Sequence, residues 1–148
     1  MMNKDASIAL LLEQLKEACP AGYAAAMHIK FTSPKHLFQG YRADWIDYYS
    51  KHALVLHDPT VHWGFENTGS VRWSDLAALD GHGVMARAAE YGLVYGFTAA
   101  LDRHGSRSVA SFARADREYT DAEMQEISAI LGLLHEATFT GEPLPRIS

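Results

Sequence analysis

The sequence predicts an α+β domain in which helices and antiparallel strands pack in layers. One observation is that apolar residues recur at helical spacing near each end of the chain. The N-terminal set is Ile8, Leu11, Leu12 and Leu15, and the C-terminal set is Met124, Ile127, Ile130, Leu131 and Leu134. The second observation is that two strand-like runs, 94–101 and 108–113, precede the C-terminal set.

The first elements along the chain are a helix and a strand. The helix is predicted to begin at Asp5 or Ser7, either of which can cap it, and to end before Pro20. The run 23–31 is apolar and ends in β-favouring residues, which predicts a buried strand stopped by Ser33-Pro34. Three consecutive alanines in this run would also suit a helix, so both interpretations stay open.

The middle of the chain predicts two more helices. The second helix covers 43–53 and stops by His57, because Pro59 disfavours helical geometry in the residue before it. Residues 64–70 are predicted to form a loop or a short helical turn. The third helix is predicted over 83–91, with a glycine immediately after it.

The last part of the chain predicts a hairpin followed by a helix. Residues 102–106 form a short connection between the two strand-like runs, which is typical of a β-hairpin. Thr120 to Glu123 spell a capping box at the start of the last helix. Residues 140–148 contain two prolines and are predicted to be a linker.

Composition indicates one soluble globular domain in a chain of 148 residues. Apolar residues make up 48% and charged residues 21%, and no apolar run is long enough to span a membrane. The net charge of −5 makes the chain a poor candidate for holding nucleic acid by itself. The single cysteine, Cys19, excludes an internal disulfide and suits the reducing cytoplasm, where we expect the protein to lie.

A group of aromatic and acidic residues between 41 and 73 predicts a small-molecule pocket. Tyr41, Trp45 and Tyr49 recur every four residues, so on a helix they share one face. Asp58 follows beside a proline, and Trp73 comes fifteen positions later. Aromatic rings can form apolar walls, while hydroxyls, indole N–H groups and a carboxylate can orient a polar head.

Metal binding and familiar catalytic chemistry are not predicted. His52, His57 and His62 lie five apart, which does not bring them to one helical face, and no HExxH or paired Cys/His spacing occurs. The eight histidines are therefore predicted to be scattered on the surface. No Gly-x-Ser-x-Gly elbow or phosphate-binding glycine loop is present, so we expect neither catalysis nor a cofactor.

The spacing of these residues resembles the autoinducer-binding domain of LuxR-type quorum-sensing regulators of bacteria. The match rests on Tyr41, Trp45, Tyr49, Asp58-Pro59 and Trp73, and on the stretch 88–98, which is similar to the family's helix-to-strand junction. The resemblance extends over about residues 5–140. It implies an α-β-α sandwich with a five-stranded antiparallel sheet, and an N-acyl-homoserine lactone bound between the sheet and one helical layer.

The resemblance also implies a role for each polar residue. Trp45 would donate its indole N–H to the lactone carbonyl, and Asp58 would accept from the ligand amide, with Thr60 helping Asp58. Tyr41 and Ser111 would donate to the acyl carbonyl. Trp73 would pack over the lactone ring, and Tyr49 would form a wall at the start of the acyl chain. Apolar candidates for the rest of the acyl-chain lining are Met27, Ile29, Leu37, Val61 and Phe65.

The chain departs from the family's pattern at several positions. Arg42 stands where the family usually has proline, and 69–72 lacks a proline often found before the later tryptophan. Ser108 falls where a glycine is expected, with Gly105 the nearest substitute. These departures leave room for a different ligand, such as an aryl-acylated lactone or another signal that is not an N-acyl-homoserine lactone.

The absence of a helix-turn-helix pattern predicts a ligand-binding fragment of a longer transcription regulator. Residues 1–140 would be the autoinducer-binding domain, and 141–148 resemble the linker that precedes the DNA-binding domain in this family. The implied partners are a small-molecule autoinducer, a second copy in a homodimer, and DNA through the missing domain. Two alternatives remain open: a stand-alone dimerising antagonist, and a lactone hydrolase that uses Asp58 with a nearby histidine.

Overall fold

The computed structural model describes residues 3–31 and 33–140. Within these residues the α-helices are α1 (Lys4–Ala18), α2 (Ala43–Lys51), α3 (Pro59–Glu66), α4 (Val84–Glu90) and α5 (Asp121–Thr138). The strands are β1 (Gly22–Lys30), β2 (Ser33–Gln39), β3 (Gly69–Arg72), β4 (Tyr95–Arg103) and β5 (Ser106–Arg114). Two short 3₁₀ helices cover Leu54–His57 and Trp73–Leu79.

The strands form one antiparallel sheet in the order β2-β1-β5-β4-β3, which confirms the predicted α+β sandwich. β4 and β5 form the predicted hairpin, but each strand extends two residues further into the connection than predicted. Only His104 and Gly105 remain as the turn, and both have positive φ angles, of 59° and 69°. A two-residue turn of this kind follows the natural twist of paired strands.

One face of the sheet carries the main hydrophobic core, which α1 and α5 cover. Strand residues alternate between the two faces, so Phe97 and Phe112 point into this core together with Leu15 and Leu131 from the helices. Met27 also lies here and is fully buried. Burial of such side chains contributes roughly 1.5–3 kcal/mol each.

The opposite face is covered by α2, α3, α4 and the segments between them. Trp45 from α2, Trp73, Ala88 from α4 and Leu93 form a second, smaller cluster against the sheet. Gly64 brings α3 close to β5, because a Cβ at this position would collide with Val109 Cγ1. The smaller cluster leaves a cavity between the sheet and these helices.

Capping residues explain where the terminal helices begin. The predicted capping box is confirmed: Thr120 Oγ1 accepts from the Glu123 amide at 3.1 Å, and the Glu123 carboxylate accepts from the Thr120 amide at 2.8 Å. Hydrogen bonds from Arg117 and Thr120 lower the pKa of Glu123 to about 2. The predicted cap of α1 is wrong, because Asn3, not Asp5 or Ser7, precedes the helix and accepts from the backbone amide of Ala6.

Three elements were absent from the sequence prediction. Ser33-Pro34, predicted as a stop, begins the edge strand β2, where proline is tolerated because one side of the strand has no partner strand among the described residues. Pro59 ends the preceding segment as predicted, but it also occupies the first turn of α3, where its missing N–H is harmless. Residues 64–70, predicted as a loop or turn, hold the end of α3 and the start of the other edge strand, β3.

The prediction of surface histidines is wrong for two of the eight. His28 on β1 is 8% exposed, and His135 on α5 is fully buried. Both lie on the α1/α5 side of the sheet, where hydroxyl groups bond to them. The predicted linker at 141–148 lies outside the described residues. No helix among the residues that the structure describes is long and apolar enough to cross a membrane.

Candidate functional site

A cavity of about 680 Å³ lies between the sheet and the α2–α4 layer. Its size and mostly apolar lining suit a small organic ligand. All seven polar and aromatic residues that the sequence singled out line it: Tyr41, Trp45, Tyr49, Asp58, Thr60, Trp73 and Ser111. Residues from α2, α3, β5 and the connections therefore converge on one space.

Asp58 is the acidic group of the cavity and caps α3. Its Oδ1 accepts from the backbone N–H and the hydroxyl of Thr60, at 2.9 and 2.7 Å. Among the described residues its Oδ2 accepts from the Tyr49 hydroxyl alone, at 2.8 Å. The side chain is 9% exposed, and a buried carboxylate is stable only when donors surround it. Both oxygens of Asp58 therefore accept hydrogen bonds, and Oδ2 can accept one more.

Trp45 lines the cavity and carries an indole N–H that can act as a hydrogen-bond donor. The residue is 4% exposed, and its ring meets Tyr49 edge-on, with centroids 5.7 Å apart. Tyr91 packs against another side of the ring, at 5.2 Å. Among the described residues no acceptor bonds to its indole N–H. Because Trp45 lines the cavity, this N–H is available to an acceptor on a ligand.

A buried relay of hydrogen bonds connects Trp73 to Ser111. The Trp73 indole donates to Thr98 Oγ1 at 3.1 Å, and that oxygen lies 2.7 Å from Ser111 Oγ. Gly96 permits this geometry, because a Cβ there would lie 2.6 Å from the Trp73 ring. The Tyr41 hydroxyl donates to the Ser111 carbonyl at 3.2 Å, so these groups meet at one end of the cavity.

The two tyrosines at the cavity remain protonated at ordinary pH. Burial raises the pKa of Tyr41 well above its usual value, and the nearby Asp58 charge adds to the effect. The pKa of Tyr49 is raised by the same two causes and by its hydrogen bond to Asp58. Both hydroxyls therefore act as hydrogen-bond donors over the whole physiological range.

The apolar part of the lining agrees with four of the five predicted residues. Ile29, Leu37, Val61 and Phe65 line the cavity. Met27 does not, and its prediction is wrong, because its side chain points to the α1/α5 core. A bulge in β1 after Met27 turns Ile29 to the opposite face, although the two positions share the same parity.

The sequence prediction missed several cavity residues. It also missed Thr98, a fully buried residue beside the lining, whose hydroxyl bonds to both Trp73 and Ser111. The hairpin centred on 104–105 pairs Thr98 with Ser111, so a correctly placed turn would have predicted this contact. The lining residues that carried no special signal are Ala24, Ala26, Pro34, Gln39, Ile46, Val55, Leu56, His62, Val84, Met85, Ala88, Leu93, Val109 and Ala110.

Other aromatic residues and a metal site are less well supported as parts of a functional site. The described lining does not include Tyr48 or Trp63; Tyr48 instead stacks on the outer side of Trp45, with centroids 6.1 Å apart. Within the described residues no group of three or more His, Cys, Asp or Glu side chains is arranged to hold a metal ion. The cavity therefore offers hydrogen bonds and apolar surface, which are the means of binding an organic molecule.

Fold and cavity together define a small-molecule-binding α-β-α sandwich. The family model described as the autoinducer binding domain matches residues 21–140, which is most of the chain. The chain therefore belongs to the autoinducer-binding domain family of LuxR-type quorum-sensing regulators. That family is a ligand-binding regulatory domain, and DNA binding belongs to its full-length members. No curated protein matches the sequence.

Solved structures of this family share the fold. The solution structure of Escherichia coli SdiA residues 1–171 has a TM-score of 0.70 and 20% identity, over 91% of this chain and 84% of that one. SdiA in complex with octanoyl-rac-glycerol has a TM-score of 0.67 and 21% identity, over 93% of this chain. The present chain spans 59% of the length of that SdiA chain.

A third similar structure is CepR2 from Burkholderia cenocepacia, described as an N-acylhomoserine lactone dependent LuxR family transcription factor. It has a TM-score of 0.64 and 16% identity, over 91% of this chain and 82% of that one. At these identities the likeness establishes the fold, and the identity of the ligand has to be argued from the cavity itself.

Proposed function

We propose that the cavity binds an N-acyl-homoserine lactone, and that the chain is the sensor domain of a quorum-sensing transcription regulator. One observation carries this proposal. An unused donor, the Trp45 indole N–H, and an acceptor with spare capacity, Asp58 Oδ2, belong to buried side chains that line the same cavity. A ligand that offers both a carbonyl and an amide N–H satisfies the two atoms at once.

The polar head of such a ligand can pair with these two atoms in one orientation. The lactone carbonyl accepts from Trp45, and the amide N–H donates to Asp58 Oδ2. The bond to the carboxylate is charge-assisted and contributes about 1.5–3 kcal/mol. Thr60 and Tyr49 hold the carboxylate in place with three hydrogen bonds, so it loses little freedom when the ligand binds.

The acyl carbonyl has two donors available. Thr98 Oγ1 accepts from Trp73, and we assign the Thr98 proton to the bond with Ser111 Oγ, in which either hydroxyl can donate. The Ser111 proton is then free to donate to the ligand. The Tyr41 hydroxyl, held by a long 3.2 Å bond to the Ser111 carbonyl, turns from that oxygen to the stronger contact with the ligand.

The rings and the aliphatic lining cover the rest of the molecule. Trp73 packs closely against Gly96 and provides an aromatic surface for the lactone ring. Tyr49 forms a wall beside the first carbons of the chain. The tail then runs over Ile29, Leu37, Val61 and Phe65, where burial contributes about 0.8 kcal/mol per methylene group.

Regulation follows from ligand-dependent stability of this domain. A ligand that binds the folded but not the unfolded state stabilises the fold by about 2.7 kcal/mol at one hundred times its dissociation constant. We propose that the stabilised domain forms a homodimer and controls DNA binding through a domain outside this chain. Leu10 on α1 and Leu133 on α5 are 48% and 58% exposed and form candidate apolar contacts for a second copy.

The decisive experiment compares thermal unfolding with and without a panel of acyl-homoserine lactones of increasing chain length. We expect at least one lactone to raise the melting temperature by several degrees, and its ring-opened acid to be much less effective. Absence of a shift with every lactone would contradict the proposal. Assaying each mixture for ring-opened product at the same time separates binding from lactone hydrolysis.

An acyl ligand without a lactone is a second candidate. It is supported by SdiA, which has been solved with octanoyl-rac-glycerol, an acyl glycerol with hydroxyl donors in place of an amide. Such hydroxyls can also donate to Asp58 Oδ2. Including octanoyl glycerol in the panel tests this candidate, and mass spectrometry of the molecule extracted from protein expressed in bacteria identifies a ligand of either class.

A further inference from the structure

A buried polar cluster lies on the face of the sheet opposite the cavity. His28, Ser108, His135 and Thr138 are 8%, 0%, 0% and 3% exposed. Polar side chains this deeply buried are uncommon and costly unless their atoms are paired. None of these residues lines the ligand cavity, and the binding proposal above does not use them.

Hydrogen bonds connect these residues across β1, β5 and α5. Ser108 Oγ lies 3.0 Å from the backbone N–H of His28 and 2.7 Å from His135 Nδ1. His28 Nδ1 lies 2.6 Å from Ser106 Oγ. His28 Nε2 lies 2.9 Å from the His135 carbonyl and 3.0 Å from Thr138 Oγ1. A single hydroxyl, that of Ser108, therefore joins a strand backbone to a helix side chain.

The partners determine where each proton lies. His135 Nε2 is 3.1 Å from the Arg103 carbonyl, which only accepts, so Nε2 carries the proton and Nδ1 accepts from Ser108. His28 Nε2 likewise donates to the His135 carbonyl, and its Nδ1 accepts from Ser106. Burial lowers the pKa of both histidines, which favours these neutral forms, and every ring nitrogen then has a partner, as a network that fixes one conformation requires.

The network holds a bulge in β1. Ala26 pairs with Val109 and Ile29 with Arg107, so three steps along β1 match two along β5. The extra residue is accommodated by His28, whose φ of 55° is in the left-handed region that few side chains adopt. As a result Met27 and His28 both face the α5 side, and Ile29 faces the cavity.

We propose that the Ser108-centred network is a positioning device that shapes the far end of the ligand cavity. By fixing the bulge it directs Ile29, and its cross-strand neighbour Pro34, into the cavity. Ile29 pairs with Arg107, four residues along β5 from Ser111, which is roughly 13 Å from the polar end. This inference rests on the proposed lactone function: the network affects the affinity for lactones with long acyl chains and leaves the affinity for short-chain lactones unchanged.

The first test requires no ligand and compares Ser108→Ala with Ser128→Ala. Ser128 Oγ is buried on α5 without a hydrogen-bond partner among the described residues, so it is a matched control. We expect Ser108→Ala to speed hydrogen exchange at the His28 amide at least tenfold and to shift the Ile29 methyl resonances. Ser128→Ala should do neither. An unchanged Ile29 resonance in Ser108→Ala would overturn the proposal.

The second test measures the ligand-induced rise in melting temperature of the same two variants across the lactone panel. In Ser108→Ala the rise should shrink for the long chains and stay at the wild-type value for the short ones. A loss of basal stability with an unchanged chain-length profile would reduce the network to ordinary core packing and refute its positioning role. If no lactone stabilises even the wild type, the proposed function fails, and the ligand-free test alone decides whether the network shapes the cavity.

Discussion

The Tyr49 hydroxyl donates a 2.8 Å hydrogen bond to Oδ2 of Asp58, across the junction between α2 and α3. These residues are nine positions apart, and a 3₁₀ helix lies between them. The bond therefore joins two different helices and is not a contact between successive turns of one helix. The bond leaves the carboxylate facing the cavity with a fixed orientation. Several consequences of this arrangement are measurable.

Tyr49→Phe should destabilise the ligand-free protein. Removing the hydroxyl leaves Asp58 Oδ2 without a protein donor in a buried position, which costs about 1.5–3 kcal/mol. The adjacent Tyr48→Phe is the matched control, because no hydrogen bond from the Tyr48 hydroxyl occurs within the described part of the chain. Urea unfolding of both variants measures the difference, and equal stabilities would contradict the assigned role of the Tyr49 bond.

Asp58→Asn should weaken binding of the lactone far more than Asp47→Asn. The amide replaces a charged acceptor with a neutral one and presents an N–H group where the ligand also has one. We expect a loss of about 10- to 100-fold in affinity, which corresponds to a charge-assisted bond. Asp47 lies exposed on α2, so its variant should bind as wild type in a calorimetric titration.

Trp45→Phe should reduce affinity while leaving basal stability nearly unchanged. Phenylalanine keeps most of the packing and removes only an indole N–H that has no acceptor among the described residues. The expected loss is about 2- to 10-fold in affinity, the value of one neutral hydrogen bond. Trp63→Phe is the control from outside the described lining. A large fall in the melting temperature of Trp45→Phe without ligand would argue for a structural role instead.

Stability should fall as the pH is lowered below about 6.5. Burial lowers the pKa of both His28 and His135 from 6.5, so the unfolded chain binds protons more readily than the folded one in this range. The stabilising effect of the neutral rings is complete above the unfolded value and is lost as the pH drops towards the folded values. Unfolding measured by denaturant between pH 7.5 and roughly 5 tests this, with the exposed His52→Gln as a control that keeps the slope.

The charges around the buried histidines support this direction. The positive charges of His135, His36 and Lys35 lower the pKa of His28 further, and the hydrogen bond to the His135 carbonyl opposes them. At His135 the hydrogen bond to the Arg103 carbonyl raises the pKa, whereas the Arg103 guanidinium and the His104 ring lower it. Glu136 opposes them at His135 but does not reverse the shift. The capping carboxylate Glu123, with its pKa of about 2, loses its contribution only at much lower pH. A flat stability profile between pH 7.5 and 5 would show that the histidines are hydrated.

Local signals account for what the sequence predicted well. The capping box at Thr120 and Glu123 and the hairpin around Gly105 depend on neighbours in the chain, and both occur. The helical spacing of Tyr41, Trp45 and Tyr49 also persists, since all three rings meet the cavity. These features need no knowledge of distant residues, so the pattern alone was sufficient.

Features that depend on tertiary pairing were not predictable in the same way. The sequence of β2 includes Pro34, Lys35 and His36 and does not alternate between apolar and polar residues. It forms a strand because it pairs with β1. The bulge that separates Met27 from Ile29 requires the pairing between β1 and β5. Nothing in the order of residues around His28 indicates that a serine eighty positions later will bond to its backbone.

Gly64 and Gly96 lack side chains at two places where the backbone comes close to a neighbouring element beside the cavity. At one end, the bare backbone of Gly96 lets an indole lie directly on β4. Along the side, Gly64 lets α3 approach β5 until it touches Val109. A methyl group at Gly96 would collide with the Phe112 carbonyl oxygen as well as with the Trp73 ring, and one at Gly64 would collide with the Val109 side chain. The spacing of the layers around the cavity is therefore set in part by two positions that carry no side chain.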